Sequence, residues 1–292
     1  GVWKVTDVAK NLLTKGTWPI GVIPGGRGVF GGQYTPSATT VIEYINISTT
    51  GDVTDFGDLS SARYYSATAS SFTRGVCGGG HLGPAITNII DYITIASTGN
   101  AADFGDLSLA RHGLSSTTVS SSVRGVFGGG GAPSANNTID YITIATTGDA
   151  VDFGNLIAAR TYPGGATSPT RGLWAGGTPN TDVIQFVELA TTGDAIDFGD
   201  LARADQGVVG NSNSTRALFA GGTSPGVSDV IQYLTMAAKG DTTDFGDLTQ
   251  ARARPGGANN SVRAVWAGGM TPTNQTTIDY NTIASTGDAA DF

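Results

Sequence analysis

Cysteine, histidine and charged residues are all scarce in this sequence. The 292 residues include one cysteine, Cys77, and two histidines. No disulfide can therefore form within the chain, and the sequence leaves the redox compartment open. Charged residues make up 14% of the chain and the formal net charge is -8, which argues against a basic surface for nucleic-acid phosphates. No run of about 18 apolar residues is present, so we expect no insertion into a membrane.

Glycine, in contrast, is abundant at 44 residues and marks an internal repeat. Each copy opens with Arg, continues with Gly or Ala, a branched residue and usually an aromatic, and closes on a glycine pair. The six copies begin at Arg27, Arg74, Arg124, Arg171, Arg216 and Arg263, which are 47, 50, 47, 45 and 47 residues apart. A period of this length is typical of propeller blades or of solenoid units.

One unit divides into four short strands separated by turn residues. In the second unit, small side chains predict a first strand near 64–72, and an alternating pattern predicts a second at 74–78. A β-branched run predicts the third strand at 88–97, and the fourth lies at 101–106 after a Thr-Gly-Asn turn. Four antiparallel strands per unit indicate an all-β fold, a six-bladed β-propeller.

The boundaries of the array favour a closed ring over an open stack. Residues 1–10 match the repeat poorly and are interpreted as an arm or linker, with the propeller spanning 11–292. Asn11-Leu12 aligns with Asp58-Leu59, a pair that follows the fourth-strand phenylalanine of its unit. The last unit stops at Phe292, before such a pair, so Asn11-Leu12 would complete it. An open stack would need polar caps, and none is visible. Because the chain starts at Gly1 without a signal-like segment, we expect it to be processed or part of a longer protein.

These units resemble the kelch family of β-propellers. The resemblance lies in the hydrophobic run closed by two glycines, in an aromatic residue on the third strand and in a bulky aromatic on the fourth. The third-strand aromatics are Tyr44, Tyr92, Tyr141, Phe186, Tyr233 and Tyr280, and the fourth-strand aromatics are Phe56, Phe104, Phe153, Phe198, Phe245 and Phe292. The fourth-strand residue is Phe where kelch repeats usually have Trp. The sequence motif around Asp-Phe-Gly-Asp-Leu is also similar to repeats in structural and tail proteins of bacteriophages. This resemblance would imply a virion or extracellular location.

Residues present in every unit are interpreted as structural. The six second-strand arginines and the six fourth-strand phenylalanines are expected to pack the blades, as is a second arginine series at Arg63, Arg111, Arg160, Arg203 and Arg252. The recurring triplet Asp194, Asp197 and Asp200 could supply calcium ligands. We favour a structural role instead, in which the first Asp completes the turn and another pairs with Arg203 or Arg216.

The sequence offers little for catalysis, and we expect no enzyme, no cofactor and no metal. A resemblance of some kelch-type propellers to copper-radical oxidases would implicate His81, His112 and Cys77, but the spacing of the histidines matches no metal motif, and Cys77 fits a packing role. No Gly-x-Ser-x-Gly motif is present. No unit shows an acid that the other units lack, so a pair of glycosidase carboxylates is not apparent.

The loops between the second and third strands vary most and would surround one mouth of the channel. Loops on a rigid scaffold commonly carry recognition, although these could also have drifted without function. The candidate ligand-binding residues are Gln33, Tyr34, His81, Asn136, Asn137, Asn180, Ser224, Asn274 and Gln275. We therefore predict a non-catalytic binding or structural module that contacts a host-surface glycan or other virion or extracellular proteins. The alternatives are a propeller enzyme acting on carbohydrate and a purely mechanical scaffold.

Overall fold

The computed structural model describes residues 26–34, 36–115 and 119–292. The arm proposed for residues 1–10 and the closing role proposed for Asn11-Leu12 lie outside these residues. Within them the regular structure consists of strands alone, so no described segment is a helix able to cross a bilayer.

The strands form six antiparallel sheets, or blades, in chain order. Blade 1 contains β1 (Arg27–Gly31), β2 (Thr39–Asn46) and β3 (Thr54–Arg63), and blade 2 contains β4 (Ala67–Ser70), β5 (Arg74–Gly78), β6 (Ile89–Thr94) and β7 (Ala102–Asp106). Blade 3 contains β8 (Arg124–Gly128), β9 (Thr138–Thr143) and β10 (Val151–Asn155). Blade 4 contains β11 (Gly164–Thr167), β12 (Arg171–Ala175), β13 (Thr181–Glu188) and β14 (Ile196–Asp205). Blade 5 contains β15 (Val209–Ser212), β16 (Arg216–Ala220), β17 (Val230–Thr235) and β18 (Thr243–Asp247), and blade 6 contains β19 (Gly256–Asn259), β20 (Arg263–Ala267), β21 (Ile278–Thr282) and β22 (Ala290–Asp291).

Each blade is a meander in which consecutive strands pair, and the sheets are arranged as a six-bladed β-propeller. Blades 2, 4, 5 and 6 have four strands, and the described residues of blades 1 and 3 supply three each. The innermost strands β11, β15 and β19 of blades 4, 5 and 6 contact one another in turn, β4 of blade 2 contacts β8 of blade 3, and β19 of blade 6 contacts β1 of blade 1. The division of the second unit into four strands is confirmed, although β4 is shorter than the predicted span 64–72.

A cycle of six arginines joins every blade to the next. The second-strand guanidinium of each blade stacks on the third-strand aromatic ring of the same blade, at 4.5–4.9 Å from the ring centroid. Its Nη1 also donates to a backbone carbonyl of the following blade: Arg27 to Ile95, Arg74 to Ile144, Arg124 to Leu189, Arg171 to Met236, Arg216 to Ile283 and Arg263 to Ile47. The last of these bonds connects blade 6 to blade 1 and closes the ring. The packing role predicted for these arginines agrees with this geometry.

Replacing Arg124 with methionine is expected to lower the free energy of unfolding by about 1–2 kcal/mol, because the cation–π contact with Tyr141 and the bond to Leu189 are lost while most of the packing stem remains. Urea unfolding measures the change. Glu188→Gln is the control, since its ion pair with Arg171 is half exposed and should contribute less than about 0.5 kcal/mol. Equal effects of the two substitutions would contradict the structural role of the cycle.

The hydrophobic core lies between the blades. Each of the six clusters of buried side chains combines residues of two adjacent blades, and one of them joins Val265 of blade 6 to Ile45 and Ile47 of blade 1. The fourth-strand phenylalanines contact the third-strand rings edge to face at 5.5–5.9 Å between centroids. Phe104 and its counterparts each belong to, or pack against, one of these clusters, which also contains residues of the following blade.

The turn aspartates reach across to the preceding blade, which corrects the prediction for this series. The Oδ1 atoms of Asp149, Asp194, Asp241 and Asp288 accept bonds from backbone N–H groups of the preceding fourth strand at 2.8–3.1 Å. Beside each of them, the N–H of the turn glycine donates to the carbonyl of the preceding blade's phenylalanine, as in Gly287 to Phe245 at 2.7 Å. No member of the triplet pairs with Arg203 or Arg216. Arg203 binds Asp205 instead, and Arg216 donates to backbone carbonyls.

The acids that do pair with arginine lie on the third strands. Arg63 with Asp91, Arg111 with Asp140 and Arg252 with Asp279 form fully buried ion pairs with N–O distances of 2.5–2.9 Å. In blades 4 and 5 the third-strand position is glutamine, and no such ion pair forms there. Each buried ion pair links the connection that precedes a blade to the third strand of that blade.

The arginine series is interrupted in blade 5. Counting four residues on from the fourth-strand leucine gives Arg63, Arg111, Arg160 and Arg252 in four connections, but Asp205 after Leu201. The prediction that Arg203 belongs to this arginine series is therefore wrong. The prediction that no unit has an acid which the other units lack is also wrong. Asp205 is buried, and its carboxylate binds Arg203 and the N–H groups of Gln206, Thr223 and Ser224. These bonds also join the connection between blades 4 and 5 to the loop that follows β16, so this unusual acid stabilises that connection.

Candidate functional site

The loops between second and third strands share one face with the connections between blades. Bridges between backbone groups link the two kinds of segment, including Tyr64 with His81, His112 with Gly131 and Ala253 with Met270. The variable loops and the blade connections therefore lie on the same side of the ring. We call this side of the ring the mouth face.

A collar of backbone hydrogen bonds runs around the axis at the mouth face. It passes through the sixth residue after each fourth-strand leucine: Tyr65, Gly113, Tyr162, Gly207 and Arg254. The N–H of each of the last four donates to the carbonyl of the one before it, at 2.6–3.3 Å. All five have φ between 52° and 69°, in the left-handed region that favours glycine. The chain nevertheless places two tyrosines and an arginine there, at a cost of about 1–2 kcal/mol each.

The two glycines make room for the side chains of the next connection. A Cβ on Gly113 would lie 2.7 Å from the Tyr162 ring, and a Cβ on Gly207 would lie 2.9 Å from Cγ of Arg254. The large side chains of the collar can therefore fold over their small neighbours toward the axis. Strained backbone maintained in this way is more common at functional sites than elsewhere.

Seven side chains of the mouth face form one continuous group, the mouth cluster: Tyr34, Tyr64, Tyr65, His81, His112, Tyr162 and Arg254. Their rings lie in a chain of contacts with centroid separations of 4.8–6.3 Å. Tyr34, which is 52% exposed, lies at the outer end. None of the seven belongs to a series repeated in every blade.

Arg254 joins the two sides of the mouth. Its guanidinium lies 4.2 Å from the ring centroid of Tyr162 and 5.4 Å from that of Tyr65. Its Nη1 donates to the Tyr65 hydroxyl at 3.2 Å, although the two residues are 189 positions apart in the chain. Its Nε is buried and has no hydrogen-bond partner in the described part of the chain.

Burial shifts the pKa values of three other groups in the cluster, His112, Tyr162 and Tyr64. Desolvation lowers the pKa of His112, and the neighbouring His81 lowers it further. Desolvation also raises the pKa of Tyr162, against the opposing effect of Arg254, and it raises the pKa of Tyr64. These shifts favour the uncharged forms of the two tyrosines and of His112 at neutral pH.

Most of the ligand-binding residues predicted from the sequence bind other loop atoms. Asn274 donates to the carbonyl of Tyr34 at 2.8 Å, which connects blade 6 to blade 1, and Asn180 donates to Ser224 at 2.6 Å. Gln33 donates to Glu43. The Asn136 side chain and the Gln275 Nε2 bind backbone groups within or next to their own loops. The carbonyl of Asn137 accepts a bond from the N–H of Leu156, which follows the fourth strand of the same blade. Only Tyr34 and His81 of the predicted set enter the mouth cluster.

The sequence prediction did not include Tyr64, Tyr65, Tyr162 and Arg254, because these residues lie in the connections between blades and not in the loops between second and third strands. A signal was present at the collar position, where glycine in two connections alternates with a large residue in the other three. His112 was considered only as a metal ligand, and its proximity to His81 depends on two adjacent blades.

The structure also locates the residues considered for chemistry. The His81 and His112 rings lie 5.2 Å apart, but Cys77 lies away from them in the core cluster that contains Ile42 and Leu59. Its sulfur contacts the Ser66 hydroxyl at 3.2 Å, and the packing role predicted for Cys77 is confirmed. Among the described residues, no three His, Cys, Asp or Glu side chains lie close enough together to hold a metal ion.

Comparisons with known proteins establish the architecture but not a family. No protein-family model matches the sequence, and no curated protein matches it. The resemblance to kelch repeats and to phage arrays therefore stays a resemblance. Among solved structures, the one titled "Structure of YjhT" is similar with a TM-score of 0.72 and 12% sequence identity, covering 92% of this chain and 95% of that chain. At this identity the similarity shows the fold alone.

Proposed function

We propose that this propeller is a non-catalytic binding module that recognises a glycan through the mouth cluster. The observation that carries the proposal is the separation of roles between residues. The arginines, phenylalanines and turn residues that recur in each blade are engaged in contacts between blades. The aromatic, histidine and arginine side chains of the mouth cluster are not repeated, and they converge at one place.

The chemistry of the cluster suits a sugar. Ligand sites are commonly lined by aromatic surface with a few directed polar groups. Tyrosine offers a flat apolar face together with a hydroxyl that can donate and accept hydrogen bonds. Tyr34 and Tyr64 would stack on the apolar face of a sugar ring, while the imidazole and phenol groups would bind its hydroxyls.

The setting is proposed as a virion or another extracellular assembly, where the partners would be structural proteins and a host-surface glycan. The support is the resemblance of the repeat phrase to phage arrays, together with a surface of low charge that binds through hydrogen bonds and stacking. Such contacts are less sensitive to salt than ion pairs between exposed groups.

Replacing Tyr34 with alanine is expected to weaken glycan binding roughly tenfold, because one stacking surface is removed. Tyr34 is 52% exposed, so the fold should not depend on it. Binding would be measured by glycan-array screening followed by calorimetric titration of the hits. The matched control is Phe72→Ala, since Phe72 is 65% exposed and lies in the turn between β4 and β5, away from the mouth. Equal losses in both variants, or an array without hits, would contradict the proposal.

A further inference from the structure

Arg254 differs from the other arginines of the described residues because its side chain donates to neither a carboxylate nor a backbone carbonyl of those residues. The second-strand arginines donate to carbonyls of the next blade, and Arg63, Arg111, Arg203 and Arg252 bind aspartates. Among the described residues, the Arg254 side chain makes one hydrogen bond, to a neutral phenol. Its Nε, like those of Arg63, Arg111, Arg160 and Arg252, is buried without a partner among them. No acidic side chain of the described residues lies within ion-pair distance of it.

The acid in the preceding collar segment, Asp205, is already engaged. Both oxygens of Asp205 are occupied, Oδ2 by the Arg203 guanidinium and Oδ1 by three backbone N–H groups. Within the part of the chain that the structure describes, Arg254 is therefore a cation without an anionic partner, at the mouth of a protein whose net charge is -8. Carboxylates and phosphates are the groups that a guanidinium binds best, through two parallel hydrogen bonds.

The position of Arg254 is maintained by the fold. Its backbone has a φ of 52°, its stem lies over Gly207, and its guanidinium stacks on Tyr162. Stacking fixes the plane of the guanidinium and directs its remaining N–H groups to the edges of that plane. The Arg254 guanidinium is fixed in position beside aromatic rings. It therefore suits a negatively charged group on a ligand that stacks on those rings.

We propose that the glycan bound at the mouth cluster is acidic and that Arg254 binds its carboxylate, as on a uronic-acid residue. This inference rests on the proposed function and specifies its ligand class. The sugar ring lies against the tyrosines, and the carboxylate meets the free edge of the guanidinium. Arg254 is in this account the residue that selects acidic over neutral sugars.

The chain itself suggests a variant that tests Arg254 without risk to the fold. Arg254→Gly installs the residue found at the same collar position in Gly113 and Gly207 and relieves the left-handed strain, so its unfolding midpoint should equal or exceed that of the parent protein. Calorimetric titration with uronic-acid oligosaccharides and with their carboxyl-reduced, neutral counterparts compares the two ligand classes.

We expect the parent protein to prefer the acidic oligosaccharides by roughly 10–100-fold and Arg254→Gly to lose that preference while it keeps weak binding of the neutral ones. Equal binding of acidic and neutral forms by the parent protein would overturn the assignment of Arg254 but leave glycan recognition standing. An acid preference retained in Arg254→Gly would do the same. Absence of binding to either class would overturn both proposals.

Discussion

Replacing Arg111 with methionine is expected to lower the free energy of unfolding by about 3–5 kcal/mol, the cost of leaving one partner of a buried ion pair alone. Arg111 is fully buried and binds Asp140 at 2.7 Å as well as the carbonyls of Gly129 and Thr138. Burial lowers the pKa of Arg111, and Asp140 opposes this by stabilising the charged form. Without the guanidinium, the Asp140 carboxylate would retain only Ser108 as a partner in a site closed to water.

Urea unfolding followed by far-UV circular dichroism measures this loss. The matched control is Arg203→Met, which also removes an arginine from a buried aspartate. Asp205 keeps three backbone N–H partners, and the Arg203 side chain is 38% exposed, so we expect a loss of about 1 kcal/mol or less.

A double variant separates the charge from the packing. Arg111→Met combined with Asp140→Leu removes both charges, so a large part of the lost stability should return. If the double variant is less stable than Arg111→Met alone, the cost comes from packing and the explanation by an unpaired buried charge fails.

Gly246→Ala is expected to destabilise the protein by about 2–4 kcal/mol, because two penalties combine. Gly246 has a φ of 142°, a conformation that side chains with a Cβ rarely adopt. An added Cβ would also lie 2.5 Å from the carbonyl carbon and oxygen of Gly287, in the turn of the next blade. That carbonyl belongs to backbone and cannot move without separating blades 5 and 6.

The control for this substitution is Gly226→Ala. Gly226 is exposed, its added Cβ meets nothing within 4 Å, and its backbone is outside the region of positive φ. Thermal unfolding should show a lower midpoint for Gly246→Ala and an unchanged or slightly raised one for Gly226→Ala. Similar midpoints for the two variants would show that the close approach of adjacent blades is not rigid.

The parts of this fold that could be predicted from the sequence are the parts that repeat. Six copies reinforce each strand and turn signal, so the blade pattern around Arg74 and Phe104 emerges without structural information. The partners of charged residues could not be predicted in this way. Asp91 and Asp140 lie beside the third-strand tyrosines, and only the register of the strands shows that a buried arginine from the preceding connection reaches them.

The mouth cluster was predictable only in part, for a similar reason. Tyr34 and His81 stand in variable loops, where recognition is expected. Tyr65, Tyr162 and Arg254 stand in connections that look like linkers in the sequence, and they meet because the ring brings distant connections to one axis. Asp205 shows a further limit, since the nearby Arg203 concealed the exchange of arginine for aspartate at the repeat position.

The bonds between Arg263 and Ile47 and between Gly51 and Phe292 leave the array without a terminal unit. In a linear array the outer units have one neighbour and fray first. Here every sheet has a neighbour on both sides, so losing any one of them would expose two apolar faces at once. Amide protons in the strands of all six blades should therefore exchange with solvent deuterium through one global opening, with similar protection around the circle.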